Sequence, residues 1–300
     1  MIKGVLNFAF GFGKVSDDQD IDNFTWVADE SVRCGSLNSH DDRCTLMRCH
    51  PKEENKRTQL WTCLARGSFI SSNEEGEDGE QAIVQLWSAS FNNKEPESHV
   101  HWNHKRFKMA TKPWKASFGC IVIEIVESFY ADLRDPKNPL IDNPEDVARF
   151  RVEGEDLCLS KKVMGALSPY FHELFNAKNE GDKEFYELPY VDLDEFMHFV
   201  GILHCLDFNI HENSLDYLLK LGAKFQCAPV IRACKAYLRN APIEKVSLVK
   251  KLFMADHFKL HQILMETIEK ISKEEWKKFP EKHKLSSFAM DLIMHKFLLY

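Results

Sequence analysis

Apolar residues recur at two different spacings along the chain, and the change falls between residues 135 and 145. Upstream, short runs alternate apolar and polar positions, the period of a half-buried strand. The clearest run is 120–126, where Ile121, Ile123 and Ile125 share a face and Glu124 lies opposite. Residues 24–27 form a second candidate strand, and 60–70 a third in which Gly67 marks a bend or bulge. A fourth is 81–91, with Ala82, Val84 and Leu86 on one side, and residues 1–18 read as a first strand or a loose leader. Five of the six tryptophans, Trp26, Trp61, Trp87, Trp102 and Trp114, belong to this region. Short strands separated by polar turns predict a sandwich or an open barrel. Residues 132–144 then hold Pro136, Pro139 and Pro144 among Asp and Asn, and each proline steers the residue before it away from helix, which reads as a linker.

Downstream the pattern mixes both periods. Residues 147–152 are strand formers, Glu153-Gly154-Glu155 is a tight turn, and 156–159 return as a second strand. Lys161 opens a helical run with Val163, Met164 and Leu167 on its apolar side. Ser168-Pro169 starts another helix, because serine caps exposed N–H groups and proline at the first helical position loses no hydrogen bond. Tyr170, Phe171, Leu174 and Phe175 give that helix an aromatic side. A short strand is expected at 185–188, and Asp192 with Glu195 has the spacing of a capping box. Helical stripes follow: Phe196, Val200 and Leu203 beside Met197 and Phe199; Leu215, Leu218, Leu219 and Phe225; Val230, Ile231, Cys234, Tyr237 and Leu238. Beyond residue 240 the stripes are broken, at Val246, Val249 and Phe253, then at Leu260, Leu264 and Ile268, with Trp276 and Phe279 before a turn at Pro280. The last apolar run, FAMDLIMHKFLLY, is expected as a closing helix on the preceding ones or as a helix for a partner.

Length and charge narrow the classes. Three hundred residues suggest two domains, and 44% apolar content excludes wholesale disorder. A formal charge of −7 with no long basic tract argues against nucleic-acid and anionic-membrane binding. Nine irregularly spaced cysteines fit a reducing compartment, the cytoplasm or nucleus, better than a disulfide framework. Cys34, Cys44, Cys49 and His50 lack the paired spacing of a zinc site, and no acid or nucleophile is tied to His99, His101 and His104 around Trp102. Residues 71–80, SSNEEGEDGE, read as a solvated loop. No phosphate-binding glycine loop, zinc-protease motif or G-x-S-x-G elbow occurs, so neither an enzyme nor a cofactor is expected.

The middle third resembles the BTB, or POZ, domain. The resemblance rests on Asp146-Val147, Val152-Glu153-Gly154, Lys161 with Val163 and Met164, Ser168-Pro169-Tyr170-Phe171 and Leu174-Phe175. It continues through Leu188-Pro189-Tyr190-Val191-Asp192 with Phe196, and Leu218-Leu219-Lys220-Leu221-Gly222-Ala223 followed by Cys234. It implies a protein-interaction domain, often a homodimer, and often an adaptor that presents a substrate to a cullin-type ubiquitin ligase. Val163, Met164, Leu167, Tyr170 and Phe171 are the dimer or core residues so implied, and Phe175, Asn179 and Glu180 the cullin contacts. Two positions depart from the family: Ser160 stands where a histidine is usual, and Lys178-Asn179-Glu180 lacks the large apolar residue of cullin-binding members. An assembly or transcription-associated role without cullin therefore stands beside the adaptor role. The upstream region resembles the MATH fold, a peptide-reading β-sandwich, through Phe24-x-Trp26 and Trp114 before Ser117-Phe118-Gly119. The expected organisation is α+β: a β-rich, MATH-like domain at 1–131, a linker at 132–144, a BTB/POZ domain at 145–240 and a helical extension at 241–300. The expected partners are a second copy of the chain, a cullin scaffold and a protein or peptide substrate.

Overall fold

The computed structural model describes residues 2–10, 14–30, 42–52, 57–72, 81–103, 117–177, 185–206 and 208–299. It separates into two units, 1–139 and 140–300. The first unit holds β1 (Ile2–Phe10), β2 (Gln19–Ile21), β3 (Phe24–Asp29), β4 (Asp42–Pro51), β5 (Gln59–Ser72), β6 (Gln81–Asn92), β7 (Glu97–Asn103) and β8 (Ser117–Asp132). They form two antiparallel four-stranded sheets, ordered β1-β8-β5-β6 and β2-β3-β4-β7. One core joins them: Ile121, Ile123 and Ile125 of β8 and Trp61, Ala65 and Phe69 of β5 meet Phe24, Trp26 and Met47 of the other sheet. The expected sandwich is thus the fold of this unit; alternation buries Ile121, Ile123 and Ile125 along one face of β8, while residues 44–47 of β4 and 60–63 of β5 are buried on both faces. Two aromatic pairs hold the sheets: Trp26 on Phe91, edge to face at 5.1 Å, and Phe24 on Trp61 at 5.7 Å.

Two details differ from the pattern. Gly67 is not at a bulge; it pairs with Ile123 and Trp87 inside regular ladder, and the register shifts fall at Leu64/Ala65 and Phe69/Ile70. The glycine is needed for close approach instead, since a Cβ there would lie 1.8 Å from the Val122 carbonyl oxygen and 2.9 Å from Trp87 Nε1. The proline-bearing stretch is also less of a linker than expected. Leu133 is buried and its N–H bonds the Thr58 carbonyl at 3.0 Å. Arg134 grips the Asp132 carboxylate at 3.2 and 2.9 Å, and Asn138, also buried, donates to the Asp135 carbonyl at 2.8 Å. The Leu133 bond ties the start of the stretch to β5's entry, and the others order it locally.

The second unit opens with a 3-10 turn at Pro144–Asp146, then β9 (Val147–Val152) and β10 (Glu155–Ser160) as a hairpin, with β11 (Tyr186–Glu187) parallel to β9 on the other side. Glu153 at φ 49 and Gly154 at φ 85 give the left-handed pair that a two-residue hairpin turn requires. The helices are α1 (Lys161–Leu167), α2 (Pro169–Asn176), α3 (Leu193–Leu203), α4 (Leu215–Lys224) and α5 (Ala228–Asn240). The extension adds α6 (Leu248–His257), α7 (His261–Lys270), α8 (Lys273–Lys278) and α9 (Ser287–Leu299). On α6 the buried residues are Lys251, Leu252, Met254 and Ala255, while Val249 and Phe253 are only half-buried. On α9 only Ala289 and Ile293 are buried among the described side chains, and Leu298 is 79% exposed. Among the described residues no helix is long and apolar enough to cross a membrane.

Gly67→Ala is expected to destabilise the sandwich by about 3 kcal/mol, because the clash is with backbone and no rotamer relieves it. Urea unfolding followed by tryptophan fluorescence would measure it, and an unchanged midpoint would refute the close-approach argument.

Candidate protein-interaction surface

Capping chemistry sets the helical hairpin of the second unit. Ser160 caps α1 by accepting from Val163 N at 3.0 Å, and its hydroxyl donates to the Asp146 carboxylate. Asp146 also accepts from Lys162 N at 2.8 Å, so this one carboxylate ties the strand entry to the helix start. Ser168 caps α2 by accepting from Phe171 N at 3.1 Å while donating to the Phe225 carbonyl past the end of α4. Asp192 caps α3 through Glu195 N at 2.9 Å. Each cap satisfies an N–H that the helix itself leaves open.

Behind the caps lies a ring cluster to which nearly every early element contributes. Phe150 of β9 touches Phe171 at 5.5 Å, Phe175 at 6.1 Å, Tyr186 at 5.8 Å and Phe196 at 6.3 Å. Phe225 closes the far side against Phe171 at 4.8 Å and Phe199 at 5.5 Å. The five residues expected at a dimer face or core divide accordingly. Met164 and Phe171 are fully buried and belong to the core. Val163, Leu167 and Tyr170 are half-buried on α1 and α2, with the Tyr170 ring leaning on Phe171 and Phe225. Phe175 is half-buried and packed on Phe150, Phe171 and Tyr186. Asn179 and Glu180 lie outside the described residues.

Among the described residues the thiols and imidazoles do not gather into a metal site. Cys34, His104 and most of 71–80 lie outside the described residues, and among those described no three His, Cys, Asp or Glu groups could hold a metal. Cys44 Sγ sits 3.1 Å from His99 Nδ1, a pairing the sequence spacing concealed. Burial pushes the Cys49 thiol well up, helped by Cys63 beside it, and pushes Cys234 up to about 12. Such thiols behave as small apolar side chains. Two roles were not read from the sequence: Asp146, named there only for the family resemblance, as a clamp, and the Tyr217 hydroxyl, 2.6 Å from Nδ1 of the buried His198 between α4 and α3.

The second unit is thus a strand hairpin joined to a capped helical hairpin, with a third strand and further helices after it. Comparison with known proteins gives it a family: residues 146–242 match the BTB/POZ domain, and this part of the chain is a BTB/POZ domain. The chain is similar to BTB and MATH domain-containing protein 39 of Caenorhabditis briggsae, 30% identical over 116 residues. That match takes in 39% of this chain and only 33% of the relative. It is also similar to BTB and MATH domain-containing protein 38 of Caenorhabditis elegans, 26% identical over 312 residues, 98% of this chain and 77% of the relative. Both names, with a β-sandwich ahead of the BTB domain, support the MATH-BTB type.

Ser168→Ala removes a cap and a second bond, and is expected to cost the second unit about 2 kcal/mol in a denaturant titration. Burial, then the Glu195 carboxylate, raises the Tyr217 phenol to about 12. An unfolded tyrosine ionises near 10, so this stabilisation is complete below pH 10 and falls as pH rises toward 12. Tyr217→Phe should flatten that alkaline slope in thermal melts; an unchanged slope would remove Tyr217 as its source.

Proposed function

We propose that the chain is a non-enzymatic adaptor acting inside the cell, in cytoplasm or nucleus. The β-sandwich head selects a protein through an extended peptide, and the BTB head joins two copies and holds a cullin-type ligase scaffold. Joining two copies doubles the recognition heads on one object and raises the effective concentration for a divalent target. Ubiquitin transfer to the bound protein then follows from proximity, with no chemistry from this chain. The observation that supports this reading most is the BTB/POZ domain with Val163, Leu167 and Tyr170 half-buried on α1 and α2. Apolar surface of that kind is what a partner copy would bury.

A second reading keeps the BTB assembly and drops the cullin. It is favoured by Phe175, whose ring is packed on Phe150, Phe171 and Tyr186 and so offers less to a scaffold. A pull-down of folded full-length chain with a cullin N-terminal domain separates the two, since only the first expects capture.

Sedimentation equilibrium at micromolar concentration should give a dimer. Leu167→Asp and Tyr170→Asp, each placing a charge on a half-buried position, should give folded monomers by the same measurement with circular dichroism unchanged. A wild-type chain that sediments only as a monomer would reject a stable homodimer.

A further inference from the structure

Tyr190 is the least buried large apolar side chain among the described residues, with a relative exposure of 102%. It lies in the turn between β11 and α3 and has φ 60, in the left-handed region. It follows Pro189, and proline ahead of a positive φ is the pattern of a type II turn, whose third place ordinarily takes glycine or asparagine. A tyrosine there strains the backbone, and at full exposure its ring recovers nothing by packing within the chain. Tyr190 is one of the residues that line a depression of about 410 Å³.

Charge defines what that depression takes. Its lining holds the carboxylates of Glu153, Glu187 and Asp192, with Arg151 as its cation. Arg151 is already committed: its guanidinium bonds Asp156 at 2.7 and 3.1 Å and lies 4.0 Å over the Phe185 ring. Lys224, outside the lining, donates to the Pro189 carbonyl at 3.1 Å. Glu153 and Asp192 are fixed by bonds to Leu193 N at 3.3 Å and Glu195 N at 2.9 Å, and Glu187 is exposed. A concave surface with a negative balance and one bare aromatic ring matches a cationic side chain, which the ring face and the carboxylates attract together.

We infer that the Tyr190 turn is a second docking point of the chain, taking an arginine or lysine side chain from an extended segment of another protein. Its lining includes none of Val163, Leu167 and Tyr170, and the inference does not depend on cullin binding or on dimerisation.

The test uses full-length chain and fluorescein-labelled glycine-serine octapeptides carrying one central Arg, Lys, Gln or Glu, read by fluorescence polarisation. The Arg and Lys peptides should bind about five-fold more tightly than the Gln peptide, with the Glu peptide weakest. Tyr190→Gly and Glu187→Gln should each abolish that preference. Tyr190→Gly should also melt at the same temperature as the natural chain or higher, because glycine relieves the strained turn. Equal binding of Arg and Gln peptides, or a preference surviving both variants, would overturn the inference. So would a lower melting temperature for Tyr190→Gly, which would make the ring a structural element of the fold.

Discussion

Phe150 is the pivot of the second unit. Its ring comes from the central strand of a three-stranded sheet and meets rings from α2, β11 and α3. Those elements are far apart in sequence, so each contact closes a loop whose entropy must be offset, and large rings do so with the most buried area per residue. Everything outward then follows from where the rings sit. Phe171 is drawn in against Phe150 and Phe225, which turns Tyr170, its neighbour on α2, toward the rim. The same packing draws Phe175 in and leaves Val163 and Leu167 half-covered. The surface offered to partners is therefore the remainder of a core whose demands are met first.

The sandwich solves a different problem. Its core combines alternation on β8 with runs buried on both faces of β4 and β5, and Gly67 lets β8 and the Trp87 indole come close to β5. Its outward faces stay wet: Arg66 bonds Glu124 at 2.8 Å across β5 and β8, and Leu86 on β6 is 69% exposed. The first unit thus rests on two sheets packed over one core and the second on an interlocked ring cluster.

Local chemistry was the legible part of the sequence. The extent of β9, the caps at Ser168 and Asp192, and the inward trio Ile121, Ile123 and Ile125 follow from residue type and spacing within a few positions, whereas the cap at Ser160 was not read from the sequence. Non-local pairings were not legible. Lys251 is buried because its ammonium reaches the Ala241 carbonyl at 2.6 Å, and no helical stripe would place a lysine inside. That rotation of α6 leaves Val249 and Phe253 half-exposed where periodicity put them on a stripe. The same applies to residues 133–139, whose prolines suggest a connector but whose Leu133 and Asn138 are buried. The strained turn at Tyr190 was hidden because Leu188-Pro189-Tyr190 looks ordinary until φ is known. Asn179 and Glu180 fall outside the described residues, so their part of the candidate site rests on the sequence.

The last helix shows how polar anchors substitute for a core. With Ala289 and Ile293 as its buried residues among the described side chains, α9 gains little apolar burial against the entropy of ordering thirteen residues. Its two ends carry the difference. At the start, the Asp256 carboxylate accepts from Ser286 N at 2.7 Å and from its hydroxyl at 2.5 Å, and Ser286 in turn accepts from Ala289 N at 3.2 Å. Near the finish, Lys296 donates to the carbonyls of Ile268, Glu269 and Ile271 at 2.8, 3.0 and 2.5 Å, where α7 leaves its last acceptors open. Charge-assisted bonds at both ends fix the position of a helix whose side chains would otherwise be indifferent to it. They also leave Phe288, Met294 and Leu298 facing outward, because nothing in the anchoring requires them to turn in. A helix held this way is expected to open at lower free energy than the ring cluster, and its charge-assisted anchors to be weakened by salt.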